Sequence, residues 1–485
     1  MNPTSEPFAQ LRETHTGLVL LYGDRAYKTK KPVVTDFLDF GTVAAREHAC
    51  ARELELNRRL APDVYLGLAH LSDPEGGPSE PIVVMRRMPE SSRLSAQLDD
   101  GAVAASGLAS LAAMVASFHG KARRGTDIDH AGTPEALRGR WRVLLHSLRE
   151  QPPGAIDSNL LDRVQRLALR YLDGREPLLA RRIAEGYIAD GHGDLLAEDI
   201  FALPDGFRIL DCLDFDDELR HIDCLDDAAF LAMDLEFLGH PELAAGFLND
   251  YARETGDTGP MSLRHHYIAY RATVRAKTDR IRAGQGAAAS AERAARHLAL
   301  AERHLSEGAV RLALVGGLPG TGKSTVAAEL AAATGAQVLS SDTVRVGLRA
   351  AGEVAGSGGT FGAGAYRPAE KARVYAELLD RARELLEQGV SVILDASWTD
   401  AAERARAADL AERTASDLVE LCCECPRSLA AERIGARRPG DSEATVAVAD
   451  SLAAVADPWP SATALGTANP LADTLAVARR IWSQI

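Results

Sequence analysis

Residues 317–324 read Gly-Leu-Pro-Gly-Thr-Gly-Lys-Ser, and this stretch decides the fold of the second half of the chain. It fits G-x-x-x-x-G-K-[ST] at every defined position. The apolar run RLALVGG leads into it and the run STVAAELAAAT continues it, so we expect the stretch to join a strand to a helix. Glycines in such a loop let backbone N–H groups curl around phosphate oxygens, and the helix N-terminus adds its dipole.

The stretch therefore predicts a nucleotide cradle that binds ATP and Mg²⁺. Lys323 would neutralise the β- and γ-phosphates, and Ser324 would offer its hydroxyl to Mg²⁺. The residues of the predicted cradle are Gly317, Gly320, Thr321, Gly322, Lys323, Ser324 and Thr325.

Strands and helices alternate after residue 306, which predicts a parallel sheet covered by helices on both faces. We expect Asp342 at the end of the second strand, where a carboxylate can accept a proton from a hydroxyl. Asp395 ends the strand VSVIL, from which it can hold Mg²⁺. Either aspartate has helix N-capping as its alternative role. Three arginines at helical spacing would clamp a transferring phosphate, or form a solvated basic face: Arg433, Arg437 and Arg438.

The length of 485 residues predicts two domains, which we place at 1–305 and 306–485. A composition that is 46% hydrophobic and 26% charged is typical of a globular protein. No apolar run reaches the about 20 residues that span a bilayer, so we expect a cytoplasmic protein. The net charge of −14 argues against nucleic acid as a partner. Six cysteines are too few for a disulfide framework, and the run LVELCCECP predicts a buried strand in preference to a metal site.

The first half has a strand-rich start followed by helices, with a hairpin turn predicted at Gly23-Asp24. Lys28 and Lys30 lie on one face of the second hairpin strand, because alternate residues do. A helix is predicted from Thr42 to Leu60, then a buried strand that includes PIVVM.

A carboxylate pattern occurs in DGHGDLLAEDIF and in ILDCLDFDD. Asp194 is followed five residues later by Asp199, and a short strand then ends at Asp211, with Asp214 close behind. A catalytic carboxylate, a metal ligand and a strand-ending metal ligand in this order are the layout of protein-kinase-like active sites. The order of these residues, and no single one of them, supports that prediction.

This half resembles the aminoglycoside and choline kinase family, whose motif is H-G-D-x-x-x-x-N followed by a strand-ending I-D; Asp199 departs from it where the family has Asn. The resemblance implies a bilobal protein-kinase-like α+β fold. It implies that Asp194 aligns or deprotonates the acceptor, and that Asp199 and either Asp211 or Asp214 are metal ligands. It implies that Lys28, in preference to Lys30, contacts the ATP phosphates, with Glu53 or alternatively Glu55 as the ion-pair partner of that lysine. The strand ending at Met85 would be the hinge against adenine.

Residues 310–485 resemble the small P-loop kinases of the gluconate-kinase, polynucleotide-kinase and zeta-toxin grouping. That resemblance implies transfer of a phosphoryl group to a hydroxyl, with Asp342 as base and Arg345 near the acceptor. The two halves together resemble bacterial proteins described as bifunctional aminoglycoside phosphotransferase and ATP-binding proteins.

The sequence thus predicts an ATP-dependent phosphotransferase with two nucleotide sites that acts on small-molecule acceptors. One alternative is an N-terminal pseudokinase that senses a small molecule and regulates the second half. Another is a nucleic-acid end kinase, supported by the basic stripe Arg271, Arg275, Lys277 and Arg280. The glycine-dense segment 352–364 is predicted to be a mobile loop over the site. The acceptor and the oligomeric state stay open.

Overall fold

The computed structural model describes residues 7–13, 17–34, 39–101, 105–150, 157–287, 289–354, 367–436 and 444–484. The chain divides into two compact units. The first comprises Met1–Ala155, Arg181–Thr258 and Tyr267–Ala301, and the second comprises Ile156–Ala180, Gly259–His266 and Glu302–Ile485. The domain boundary near residue 306 stays a prediction.

A five-stranded antiparallel sheet opens the first unit, with strand order β1-β2-β3-β5-β4. Its elements are β1 (Ala9–Glu13), β2 (Gly17–Tyr22), β3 (Arg25–Lys30), α1 (Val43–Asn57), β4 (Tyr65–Leu71) and β5 (Glu80–Arg86). The predicted hairpin joins β2 to β3, and Gly23 adopts the positive φ of 56° that its turn requires. Helix α1 begins after Thr42, whose side chain accepts a hydrogen bond from the Ala45 amide.

Helices dominate the chain from residue 94 to residue 307. They are α2 (Leu94–Asp99), α3 (Ala105–Lys121), α4 (Thr126–Asp129), α5 (Pro134–Glu150), α6 (Ser158–Asp173), α7 (Glu176–Ala184), α8 (Cys224–Phe237), α9 (Pro241–Thr255), α10 (Met261–Gly284) and α11 (Ala289–Glu307). Two small antiparallel pairs interrupt them: β6 (Ile188–Asp190) with β9 (His221–Asp223), and β7 (Ile200–Leu203) with β8 (Gly206–Ile209). Only β8 was predicted; β6 and β9 have three residues each, and β7 is a wholly apolar run of four that shows no alternation.

A five-stranded parallel sheet, in the order β11-β12-β10-β13-β14, forms the centre of the rest of the chain. Its strands are β10 (Arg311–Gly316), β11 (Gln337–Ser340), β12 (Val392–Asp395), β13 (Asp417–Glu424) and β14 (Thr463–Gly466). The helices are α12 (Lys323–Thr334), α13 (Ser341–Ala350), α14 (Pro368–Glu387), α15 (Ala401–Arg413), α16 (Arg427–Gly435), α17 (Val446–Ala454) and α18 (Leu471–Gln484). Every residue of β10 and β12 is buried, as expected for central strands covered on both faces.

The chain therefore combines a protein-kinase-like α+β fold with an α/β P-loop fold that has a parallel sheet, as the sequence predicted. The antiparallel sheet receives α1 between β3 and β4, and the parallel sheet receives the P-loop between β10 and α12. Within the described residues, no helix has the length and apolar character that a membrane span requires.

Candidate functional site

A cluster of two lysines and three carboxylates, with Glu53 buried at its centre and Asp211 exposed at its rim, connects α1 to the segment after β8. Glu53 on α1 is 1% exposed and holds both lysines of β3, with 2.8 Å from each Nζ to a carboxylate oxygen. Lys28 also contacts Asp211 Oδ1 at 2.8 Å, and Lys30 contacts Asp214 Oδ2 at 2.7 Å. The β3 register puts both lysines on one face, so one glutamate can bridge them.

Charge pairing outweighs burial in this cluster. Burial alone would raise the pKa of Glu53, but Lys28 and then Lys30 hold the pKa below its usual value. The adjacent Lys28 ammonium lowers the pKa of Asp211 more strongly than burial raises it. Burial lowers the pKa of Lys28, yet Asp211 and Glu53 together raise it well above the ordinary value. Both lysines and Glu53 are therefore charged at neutral pH.

The predicted partner for Lys28 was Glu53, with Glu55 as the alternative. Glu55 instead pairs with Arg52 at the surface, where its side chain is 70% exposed. Likewise, the sequence left open whether Asp211 or Asp214 faces the site. The structure gives each aspartate its own lysine, so both face the cluster, and their roles as metal ligands stay predictions.

The segment His192-Gly193-Asp194 is held by a buried aspartate that the sequence analysis did not single out. Asp227 Oδ2 accepts from the His192 amide at 2.6 Å, and Asp227 Oδ1 accepts from the Gly193 amide at 3.0 Å. The same carboxylate contacts His119 Nε2 at 3.1 Å. Gly193 has a φ of 86°, and a Cβ there would lie 3.2 Å from Leu213. Asp227 thus fixes the loop that carries Asp194.

Four carboxylates interact around that loop: Asp194, Asp199, Asp211 and Glu198. Burial raises the pKa of Asp194 to about 7, and nearby Asp211 adds to the rise. Burial, followed by Asp211, Glu198 and Asp194, raises the pKa of Asp199 well above its ordinary value. Carboxylates that repel one another in this way favour a bound cation, and carboxylate oxygens are the ligands that Mg²⁺ prefers. These side chains therefore fit Mg²⁺, including Asp199 in the place of Asn.

Arg59, which the sequence analysis did not single out, ties α1 to the same loop. Its guanidinium donates to the carbonyl oxygens of Asp190 at 3.0 Å and Gly191 at 2.9 Å, and it lies 5.0 Å from the Phe118 ring centroid. The contacts span more than 130 positions in sequence. No local sequence motif predicts these hydrogen bonds. Through them, Arg59 holds the helix of Glu53 against the loop of Asp194.

The predicted hinge residue Met85 lies on β5, opposite Ala26 of β3. Its side chain is buried in the apolar core of the first sheet, together with Val83 and Phe201. A role against adenine stays a prediction.

The P-loop lies between the end of β10 and the start of α12, as predicted. Gly317 (φ 134°) and Gly320 (φ 85°) have backbones that L-residues rarely adopt. A Cβ on Gly317 would come within 2.5 Å of the Cys423 carbonyl, and one on Gly320 within 2.5 Å of the Ala430 carbonyl. Thr321 closes the turn by donating from its hydroxyl to the Leu318 carbonyl at 2.8 Å. The loop is thus packed so closely that glycine is required at both positions.

Asp342 lies in the first turn of α13, and the expectation that it ends the second strand was wrong. Strand β11 ends at Ser340, which caps α13 by accepting from the Asp342 amide at 3.3 Å. A serine pair can end a strand and start a helix without a loop, so the boundary falls two residues earlier. The Asp342 carboxylate accepts a hydrogen bond from Arg345 one turn later.

A cavity joins this aspartate to the P-loop. Its lining includes Lys323, Asp342, Arg345, Lys371 and Tyr375. Lys371 and Tyr375 come from α14 and were not predicted, because a lone lysine or tyrosine on an amphipathic helix carries no motif. The cavity therefore brings one carboxylate and three cations beside the phosphate-binding loop.

Asp395 is the last residue of β12 and pairs in register with Val315, two residues before Gly317. It is buried. Because of its register with Val315, it lies at the end of the sheet where the P-loop starts. The Ser324 hydroxyl belongs to the first turn of α12. An oxygen pair of this kind fits Mg²⁺, and both assignments stay predictions.

Arg433 of α16 lies beside the P-loop. Its guanidinium donates to the Thr467 carbonyl at 2.8 Å, and Thr467 in turn donates to the Thr321 carbonyl at 2.6 Å. Arg433 Nη1 also lies 3.4 Å from the position that a Cβ on Gly322 would take. Thr467 was not predicted, since it comes from the loop after β14.

The remaining predictions concern two arginines, the glycine-dense segment and the cysteine run. Arg437 and Arg438 lie outside the described residues, as does most of the glycine-dense segment. The cysteine run forms the end of β13, with Cys423 buried in the sheet core, as predicted.

The basic stripe on α10 is not a fully solvated face, so it gives no support to the alternative of a nucleic-acid end kinase. Arg271 is 4% exposed and binds Asp226 through two hydrogen bonds of 2.7 and 3.0 Å. Arg280 is also buried, while Arg275 and Lys277 are partly buried. Arg271 is therefore anchored in the helical core by Asp226.

Comparisons with known proteins found a family model, similar solved structures and relatives in sequence. A family model described as an AAA domain matches residues 312–459, which include the P-loop. A sugar kinase of Janibacter sp. HTCC2649 is similar over 35% of this chain and 93% of its own, with 19% identity and a TM-score of 0.29. A choline/ethanolamine kinase family protein of Mesorhizobium loti is similar over 62% of this chain and 92% of its own, with 17% identity and a TM-score of 0.37.

One of the similarities that cover nearly the whole chain is to the "uncharacterized protein Rv2004c" of Mycobacterium tuberculosis. The two are 49% identical over 479 residues, which is 99% of this chain and 96% of the mycobacterial one. The chain therefore belongs to the same family as this mycobacterial protein.

Proposed function

We propose that the protein is an ATP-dependent phosphotransferase with one nucleotide site in each half, acting on hydroxyl groups of small molecules. The observation that carries the proposal is a single cavity that both Lys323 of the P-loop and Asp342 of α13 line. A phosphate-binding lysine and a carboxylate around one space are what hydroxyl phosphorylation needs.

In the C-terminal half, the P-loop amides and Lys323 bind the β- and γ-phosphates. Ser324 and Asp395 hold Mg²⁺, which neutralises charge on the phosphates. Asp342 accepts the proton of the attacking hydroxyl, while Arg345 keeps that carboxylate oriented. Arg433, anchored on Thr467, supplies positive charge beside the P-loop. Lys371 and Arg345 together favour an acceptor that carries a negative group.

In the N-terminal half, Lys28 contacts the ATP phosphates, and Glu53 keeps its ammonium in place. Asp199 and Asp211, with Asp214 beside them, hold Mg²⁺. Asp194 aligns the acceptor hydroxyl and takes its proton. A pKa near 7 suits this role, because the carboxylate is then a stronger base than an ordinary aspartate and is still partly ionised at neutral pH.

The test uses the full chain and measures ADP release over a panel of small hydroxyl acceptors, including aminoglycosides and sugar acids. Lys323→Ala should abolish turnover at the C-terminal site, and Asp194→Asn should abolish it at the N-terminal site. A double variant with wild-type turnover for every acceptor would contradict the proposal. Thermal unfolding of each variant shows that lost activity is not lost fold.

A second function for the N-terminal half follows from Asp199. Its carboxyl group lies near Asp194 and Asp211, which help to raise its pKa, and it would add a negative charge once a cation is bound. That extra charge favours tight metal and nucleotide binding without transfer. The half would then be a pseudokinase that senses a small molecule and regulates the P-loop half. Asp199→Asn separates the two functions: an active kinase keeps or gains transfer, whereas a pseudokinase shows none before or after the change.

A further inference from the structure

Two histidines and a glutamate bring their ligand atoms together at the end of α11. Among the described residues, His265, His304 and Glu307 each offer one ligand atom, and these atoms lie within 4.8 Å of one another. Glu307 ends α11, four residues before β10 starts at Arg311, whereas the P-loop follows the other end of β10. Six residues of strand separate the two places by roughly 20 Å, so this cluster is distinct from the phosphate site.

We propose that His265, His304 and Glu307 bind a divalent transition-metal ion of the Zn²⁺ type. The ion clips the start of α10 to the end of α11, immediately before the first strand of the parallel sheet.

The distances fit such an ion with small side-chain movements. His265 Nδ1 lies 2.9 Å from His304 Nδ1 and 3.9 Å from Glu307 Oε2. Zn²⁺ in tetrahedral geometry takes its nitrogen and oxygen ligands at about 2.0–2.2 Å, which places ligand atoms roughly 3.4 Å apart. One separation must open and the other must close by about 0.5 Å, which side-chain torsions supply without backbone movement.

The two helices are arranged so that the ligand atoms converge. His304 and Glu307 are three residues apart on α11 and share one face. His265 of α10 comes close to that face because residue 308 is glycine, where a Cβ would lie 2.5 Å from the Cβ of His265. The two imidazoles do not stack: their planes meet at 44°, and their Nδ1 edges face each other.

The chemistry of the set selects the ion. Imidazole nitrogen suits Zn²⁺ and similar transition ions, whereas Mg²⁺ and Ca²⁺ prefer oxygen ligands alone. Two histidines and one glutamate are also a known ligand combination for zinc, with a water in the fourth position. His304 is 4% exposed, while the Glu307 side chain is 50% exposed. The buried side would thus be dry, and the Glu307 side would admit the fourth ligand.

The test measures Zn²⁺ binding to the full, chelator-treated chain by calorimetry, with excess MgCl₂ present to fill the carboxylate sites and a phosphine to keep the cysteines reduced. The wild type should bind one equivalent of Zn²⁺, and its unfolding temperature should rise with Zn²⁺. His304→Ala should weaken this binding more than about 100-fold, since loss of even an outer partner of a ligand costs 10- to 100-fold. His146→Ala is the matched control, because His146 is a surface histidine with a 73% exposed side chain.

Glu307→Gln provides a second variant that changes only an exposed side chain, in case the histidine change unfolds the chain. It removes the anionic ligand and should weaken Zn²⁺ binding at least tenfold, while Mg²⁺-dependent turnover stays at the wild-type level. The proposal is overturned if the wild type binds no Zn²⁺, or if His304→Ala and Glu307→Gln bind it as the control does, since the ion then sits elsewhere, for example on cysteines.

Discussion

The substitution Glu53→Gln tests the buried charge cluster of the N-terminal half. Glu53 is 1% exposed and is shared by Lys28 and Lys30, each 2.8 Å away. The amide keeps the shape of the side chain but removes its charge, so two buried ammonium groups lose their common partner. Removing one member of a buried ion pair costs about 3–5 kcal/mol, because the remaining charge is left desolvated. We expect a loss of stability in this range, offset in part by Asp211 and Asp214.

The matched control is Glu55→Gln, two residues along the same helix. Glu55 pairs with Arg52 but its side chain is 70% exposed, so the expected loss is below about 1 kcal/mol. Urea denaturation of the full chain at neutral pH, followed by circular dichroism and by nucleotide protection, measures both variants. If Glu53→Gln unfolds within 1 kcal/mol of Glu55→Gln, the cluster does not have the strength that its burial implies, and the reasoning is refuted.

Three further substitutions probe other parts of the molecule. Lys323→Ala should lower turnover at the P-loop about 100- to 1,000-fold in steady-state assays, with an unchanged unfolding temperature, because its charge acts on the phosphates; a smaller effect would place the transfer elsewhere. Arg59→Ala should lower the free energy of unfolding by about 2–3 kcal/mol in urea titration, because two hydrogen bonds to carbonyls and a ring contact are lost. It should also weaken nucleotide binding by the N-terminal half. Unchanged binding would argue that the loop of Asp194 is held without Arg59. Burial lowers the pKa of His266 to about 3, so between pH 6.5 and 3 the unfolded chain binds a proton that the folded chain does not. Stability should therefore fall as the pH falls through that window, by about 1.4 kcal/mol per pH unit for this group, and His266→Phe should flatten the slope in denaturation curves from pH 4 to 6.5; an unaltered slope would show that His266 is protonated in the folded state.

The sequence was sufficient for features that depend on local patterns. The P-loop is contiguous, its glycines are required by its own backbone, and the strand and helix around it show clear periods. The hairpin at Gly23 and the helix of Glu53 follow from turn chemistry and an N-cap for the same reason. Both folds could accordingly be assigned from short, ordered motifs.

Features that depend on distant contacts could not be predicted. Arg59 acts on carbonyls more than 130 residues away, and Asp227 acts on amides 34 and 35 residues away. Neither has a motif of its own. Thr467 supports Arg433 and the P-loop from the loop after β14, which the pairing of β14 with β13 brings near. The sequence also predicted Asp342 at a strand end, because the capping of α13 by Ser340 cannot be told from a strand ending in Ser-Ser-Asp.

The central claim is that each half binds its own nucleotide, and the number of nucleotides bound tests it most directly. Equilibrium dialysis of the full chain against a non-hydrolysable ATP analogue with Mg²⁺ should give two equivalents. Lys28→Ala and Lys323→Ala should each leave one equivalent, and the double variant none. A wild-type value of one equivalent that Lys28→Ala leaves untouched would contradict the account.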